Sequence, residues 1–126
     1  MNSFALVVLG GTAGTLSRYG VTQVLGSDEL FPLDTFAVNV TGSFALGALL
    51  AALLVGAGGD GARTARLLLG TGFLGGYTTY SALAAQTDAL LRDDHVGLGL
   101  AYALGTVVAG LLAALAGVAA GRMLAR

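Results

Sequence analysis

LGTGFLGGYTTYS, Leu69 to Ser81, sets Gly70, Gly72, Gly75 and Gly76 within seven positions and follows them with Thr78, Thr79 and Ser81. Glycines and a hydroxyl cluster are poor material for a helix interior, so the stretch predicts a chain break. The sequence on both sides is apolar, and Leu67–Leu91 is long enough to cross ~30 Å of hydrocarbon, which takes ~20 helical residues. Irregular backbone at that depth is tolerated only where protein buries it or where it lines a cavity. Discontinuous membrane helices are also where ions bind. The break is therefore the first candidate site.

Outward from it lie three more apolar stretches, Phe4–Leu25, Leu33–Gly58 and Val96–Ala120. The 126 residues are 56% hydrophobic and 10% charged, against about 25% charged in soluble domains, so polar surface is lacking. The charges gather at segment ends: Asp28, Glu29 and Asp34, then Asp60, Arg63 and Arg66, then Arg92 to Asp94 beside His95, then Arg122 and Arg126. The expected fold is an all-α membrane protein, one domain of four transmembrane helices (residues 4–25, 33–58, 67–91 and 96–120) with the third broken. Connections at 26–32, 57–65 and 92–95 are too short for an extramembrane domain, make neighbouring helices antiparallel and put both termini on one side. Arg63, Arg66, Arg122 and Arg126 share that side, a modest bias toward termini inside that leaves insertion in both orientations open. MNSFALVV has no basic n-region and no cleavage site follows, so the first span is read as a retained helix.

Several classes are excluded. The net charge of −1, without a basic cluster, gives no sign of nucleic-acid binding. There is no cysteine, hence no disulfide or thiolate chemistry. No nucleophile–base set for an enzyme is present. No Asp, Glu or Lys lies deep in a span, whereas a proton-coupled small exporter needs a carboxylate there. Gly10 and Gly14, and the row Gly105, Ala109, Ala113, Gly117 and Gly121, offer the small surfaces on which membrane helices pack. Four helices enclose little interior, so an oligomer, a dimer first of all, is expected.

The remaining polar groups suit an anion. Thr35, Asn39 and Ser43 stand at i, i+4 and i+8 on one helix face, and Tyr102 and Thr106 repeat the spacing in the fourth span. Interhelical hydrogen bonding is the simpler reading of Thr35 and Ser43 alone and explains Tyr102 and Thr106 equally well, but a primary amide in mid-bilayer is costly unless satisfied and carries two donors. Arg18 either snorkels to the interface or sets a positive potential at an anion path. Tyr77 and Tyr80 bring ring edges, which carry positive charge, to the break. Carbonyls freed between Gly75 and Thr78 suit a hard cation.

The chain resembles the Fluc (CrcB) family of fluoride channels through GGTAGTLSRY (Gly10–Tyr19), TFAVNVTGSFALG (Thr35–Gly47) and GTGFLGGYTTYS (Gly70–Ser81), in that order over nearly its whole length. The resemblance implies a multi-pass plasma-membrane channel that exports cytoplasmic fluoride passively. It implies an antiparallel, dual-topology homodimer with two pores and a central structural Na+ held by the Gly75 and Thr78 carbonyls. Its fluoride pathway would use Asn39, Thr35, Ser43, Tyr80, Ser81, Thr106 and Arg18. Departures from the family pattern are Tyr80 and Leu83, where two phenylalanines are usual, and Gln86 in place of a glutamate. They leave open a channel paired with a paralogous subunit, and a small multidrug-type exporter is the more distant alternative.

Overall fold

The computed structural model describes residues 1–26, 30–56 and 58–126, and among these it is helical, without strands. Asp28, Glu29 and Ala57, which the sequence places in connections, lie outside the described residues. Helix α1 (Ser3–Leu25) is capped by Asn2, whose side chain accepts the Ala5 N–H at 2.8 Å. Helix α2 (Leu33–Val55) follows Pro32 and ends three residues before the expected Gly58, where the Gly56 N–H closes on the Ala52 carbonyl. Helix α3 starts at Asp60, not near 67, because Gly59 turns the chain at φ 102° and Asp60 suits a helix N-terminus. Arg63 and Arg66 therefore ride on an exposed helical extension and not in a loop.

Helix α3 continues through a π-helical stretch, Arg66–Leu74, and one α turn, Gly75–Tyr77. Thr78 and Thr79 leave the helix in extended conformations, and α4 (Tyr80–Arg92) resumes beyond them. The break is real and narrower than the composition suggests. The four glycines before it stay helical, two of them for packing reasons given below. Helix α5 (Val96–Leu124) runs four residues past the expected Ala120 and carries Arg122 in its last turn. Only α2 and α5 are, taken singly, long and apolar enough to cross a membrane among the described residues. Gly, Thr, Ser and Arg18 dilute α1, and the break divides the third span.

Two glycine seams hold the helices. On the first, α1 packs parallel to α3: a Cβ on Gly10 would stand 2.9 Å from the Phe73 nitrogen, one on Gly14 2.9 Å from that of Tyr77. From the other side, a Cβ on Gly72 would meet Gly10 Cα at 3.0 Å, and one on Gly76 the carbonyl carbon of Gly11 at 3.1 Å. On the second, α2 packs parallel to α5: Gly117 faces Phe44 and Ala48, Gly121 faces Ala48, and Gly47 faces Ala114 and Val118, each with backbone close enough to exclude a side chain. Gly105, the first member of the α5 row, meets nothing within 4 Å. A small apolar core joins the pairs at one end, where fully buried Tyr102 packs with Leu83 and Leu90 against Phe31, Phe36 and Leu98. Large apolar side chains such as Leu104, Val107, Leu111 and Leu115 are exposed along α5. Such a surface belongs in lipid or under a partner.

Candidate functional site: the break in the third span

A continuous helix would give the Thr79 N–H to the Gly75 carbonyl and the Ala82 N–H to that of Thr78. Neither bond forms. The Thr79 N–H goes to Asn39 Oδ1 at 2.8 Å, and the Ala82 N–H goes to the Thr79 hydroxyl at 3.2 Å, which caps α4. Asn39 Nδ2 returns a donor to the Thr79 carbonyl at 3.0 Å. One amide thus reads both backbone groups of one residue, and the carbonyls of Gly75 and Thr78 are left without their helical donors.

Helix α2 supplies the rest of the support. A Cβ on Gly42 would strike Thr78 Cγ2 and come within 3.3 Å of the Tyr77 ring, so only glycine lets the break lie this close. The Thr41 hydroxyl donates to the Ala37 carbonyl and meets the Tyr77 hydroxyl at 3.0 Å. Asn39, Thr41 and Gly42 engage Thr79, Tyr77 and Thr78 in turn. From α1, the Thr15 hydroxyl reaches the Gly76 carbonyl at 3.4 Å. Thr41 and Thr15 were not separable on the sequence from other small polar residues, whereas Gly42 stands beside the stripe of Thr35, Asn39 and Ser43, where a missing side chain leaves room.

The break faces a groove of about 480 Å³ between α2, α3, α4 and α5. It brings together Asn39, Ser43, Thr106 and Tyr80 with Gly75 and Thr78, six of the nine residues to which the family resemblance gives a part in the pathway or the Na+ site. Arg18 and Thr35 lie instead in a second cavity of about 270 Å³, with Thr22, Asp34 and Gln86. Ser81 lines neither and meets the Thr79 hydroxyl at 3.2 Å. Thr79 lines both spaces and separates them. A third cavity, of about 340 Å³, shares Thr22, Asp34 and Gln86 with the second and continues toward the α1–α2 connection.

Hydrogen positions refine this donor set. The hydroxyls of Ser43, Thr78 and Thr106 donate to the carbonyls four residues back, at 2.7, 2.9 and 2.6 Å. At rest these groups turn lone pairs, not protons, into the groove. Asn39 keeps one N–H beyond its bond to Thr79. Tyr80 is 81% exposed, its ring free at the groove edge. Leu83 is turned into the core against Tyr102 while touching the groove wall. Gln86 accepts the Tyr102 hydroxyl proton at 2.7 Å and so fixes the start of α5 to α4. Arg18 carries a buried Nε with no hydrogen-bond partner.

No group of three or more His, Asp or Glu residues able to hold a metal exists among the described residues. Any cation at the break would rely on carbonyls, and Gly75 and Thr78 provide two that lack helical donors, on residues that line the groove.

The pattern of the family described as CrcB-like protein, Camphor Resistance (CrcB), matches residues 5–118. A protein of Paracoccus denitrificans named fluoride-specific ion channel FluC is 45% identical over 96% of this chain and 95% of its own length. One of the same name from Thermus thermophilus is 45% identical over 93% of both chains. The fluoride-specific ion channel FluC 2 of Leifsonia xyli is 42% identical over 94% of this chain and 83% of its own.

Proposed function

The chain belongs to the CrcB family, and on that premise we propose that it works as a fluoride channel subunit whose pathway crosses the two cavities meeting at Thr79. The observation that carries the reading is the Asn39 clamp, which holds a non-helical residue between a mouth with a guanidinium and a groove lined by hydroxyls. Fluoride is small and tightly hydrated, so passage requires donors dense enough to replace its water. The free Asn39 N–H, the Tyr80 ring edge and the Tyr80 hydroxyl fit that need. Ser43 and Thr106 join by rotating their hydroxyls away from their own carbonyls, each rotation giving up a bond worth about 1 kcal/mol. Thr35 and Arg18 serve the mouth, and Ser81 supports the hydroxyl of Thr79.

The channel is a multi-pass protein of the plasma membrane and carries fluoride down its gradient, out of the cytoplasm. The groove is open, and the exposed apolar length of α5 adjoins it. Both features support a second, inverted copy as the cover, forming an antiparallel homodimer of dual topology. In that assembly the Gly75 and Thr78 carbonyls would hold a structural Na+, which supplies a fixed positive charge and ties the two breaks together.

Fluoride efflux from liposomes containing this protein alone, followed with a fluoride electrode and with chloride as control, tests the reading. Rapid fluoride efflux without chloride leak is expected. Silence from monodisperse protein would favour a paralogous partner, and efflux of both anions would remove the claim of selectivity.

A further inference from the structure

We propose that Asp34 is a charge at the mouth that holds back anion entry. The proposal rests on the reading that fluoride enters past Arg18. Asp34 lies in the first turn of α2, half-buried, and its Oδ2 accepts the Thr22 hydroxyl at 3.0 Å. A carboxylate has room for about four hydrogen bonds, so one donor from Thr22 leaves most of its capacity without a donor among the described residues, in a side chain that lines the cavity. Arg18 lines the same cavity of about 270 Å³ from α1. The two do not pair: the one ion pair among the described residues is Arg92 with Asp88, at the surface of α4. Arg18 Nε is instead buried and unpartnered. From α4 the cavity receives Gln86, which is neutral, and among the described residues no other that lines it is charged.

Among the described residues the mouth therefore holds one positive and one negative group that face a common space without neutralising each other in a bond. An entering anion is drawn by the first and repelled by the second. Removing the carboxylate leaves a net charge of +1 in the same volume. Across about 8 Å, in an effective dielectric between about 20 and about 80, one unit charge changes anion occupancy by about twofold to about thirtyfold. Asp34 lines both the second and the third cavity, so its charge bears on both.

The test compares initial fluoride efflux, at sub-saturating fluoride, from liposomes of the wild type, Asp34→Asn and Asp34→Ser. Asp34→Ser keeps a hydrogen-bonding partner for Thr22 should the asparagine variant fold poorly. Asp93→Asn, an exposed carboxylate near the α4–α5 connection, controls for general surface charge. Both Asp34 variants are expected to run about two to about thirty times faster at low ionic strength. The gain should shrink as salt rises, since screening shortens the reach of the charge. Asp93→Asn should stay at the wild-type rate. Wild-type rates in both Asp34 variants, beside an active wild type, would overturn this role for Asp34 alone. A gain that ignores salt, or one matched by Asp93→Asn, would overturn it as well. A wild type with no fluoride efflux would overturn the homodimeric pathway, and this role of Asp34 in it.

Discussion

The α2–α5 seam and the α1–α3 seam are both parallel helix pairs drawn together by glycines, yet only the second leads into a break. Along α2–α5, Gly47, Gly117 and Gly121 bring backbones together and the helices run on uninterrupted. Along α1–α3, Gly10, Gly14, Gly72 and Gly76 achieve the same approach, and just beyond them the helix stops at Thr78. The distinction lies on α2. Asn39 replaces the lost helical partners of Thr79, and Gly42 leaves space for Thr78. Glycine makes close packing possible in both places. A break in lipid additionally needs a side chain able to satisfy the backbone it frees.

The largest expected effect breaks that distinction at its centre. Asn39→Asp keeps an acceptor for the Thr79 N–H but cannot return a donor to the Thr79 carbonyl while ionised, and it sets a negative charge on the anion path. Two like charges about 4 Å apart in an effective dielectric of about 20 repel by about 4 kcal/mol, so fluoride efflux should fall by about 100-fold or more in protein that still purifies as a single species. Efflux at the wild-type rate in folded Asn39→Asp would remove Asn39 from the mechanism.

The next change addresses the seam without a break. Gly117→Val drives a branched side chain into the Phe44 carbonyl and the Ala48 nitrogen. Overpacking of this kind costs about 1–3 kcal/mol, visible as a lower denaturant midpoint in detergent by circular dichroism. The fraction that remains folded should conduct, because the groove's polar groups stand apart from the Gly117 contact. Folded but silent Gly117→Val would show that the two seams are not functionally separate.

A smaller effect sharpens the role of α2. Thr41→Val and Tyr77→Phe each remove one end of the same hydroxyl pair and should each cost about 0.5–1.5 kcal/mol. The double variant should be little worse than either single one, since the bond can be lost only once. Strictly additive losses would mean that Thr41 and Tyr77 act apart and that α2 holds the break through Asn39 and Gly42 alone.

Much of this was legible in the sequence, within physical limits. The break announced itself because glycines followed by hydroxyls are costly in an apolar span unless something uses them. Its width did not, since glycine signals both a broken helix and a tightly packed one, and at positions 72 and 76 packing prevails. Asn39 stood out as an amide too costly to leave unsatisfied, but its partner could not be read from spacing within α2, because Thr79 is forty residues away. The stripe of Thr35, Asn39 and Ser43 divides for the same reason. One helix face meets two cavities once the break is laid across it. Leu83 looked like a missing ring on the pathway; in the fold it also closes the Tyr102 core, a second duty that sequence position alone does not reveal.

The smallest expected effect concerns the end of the α5 row where the spacing rule and the structure part. Gly105 continues the four-residue series of Gly117 and Gly121, yet a Cβ there meets nothing within 4 Å, while one on Gly121 would stand 2.9 Å from Ala48 Cα and closer still to its carbonyl oxygen. Gly105→Ala should therefore leave stability unchanged or raise it by up to about 1 kcal/mol, read from the denaturant midpoint, because alanine loses less backbone freedom in a helix. Gly121→Ala should lower it. If Gly105→Ala instead loses stability, the space beside Gly105 must be filled by a group outside this protomer. A loss that grows as the protein is diluted in detergent would identify that group as a second copy, and the row would then serve both the fold and the assembly.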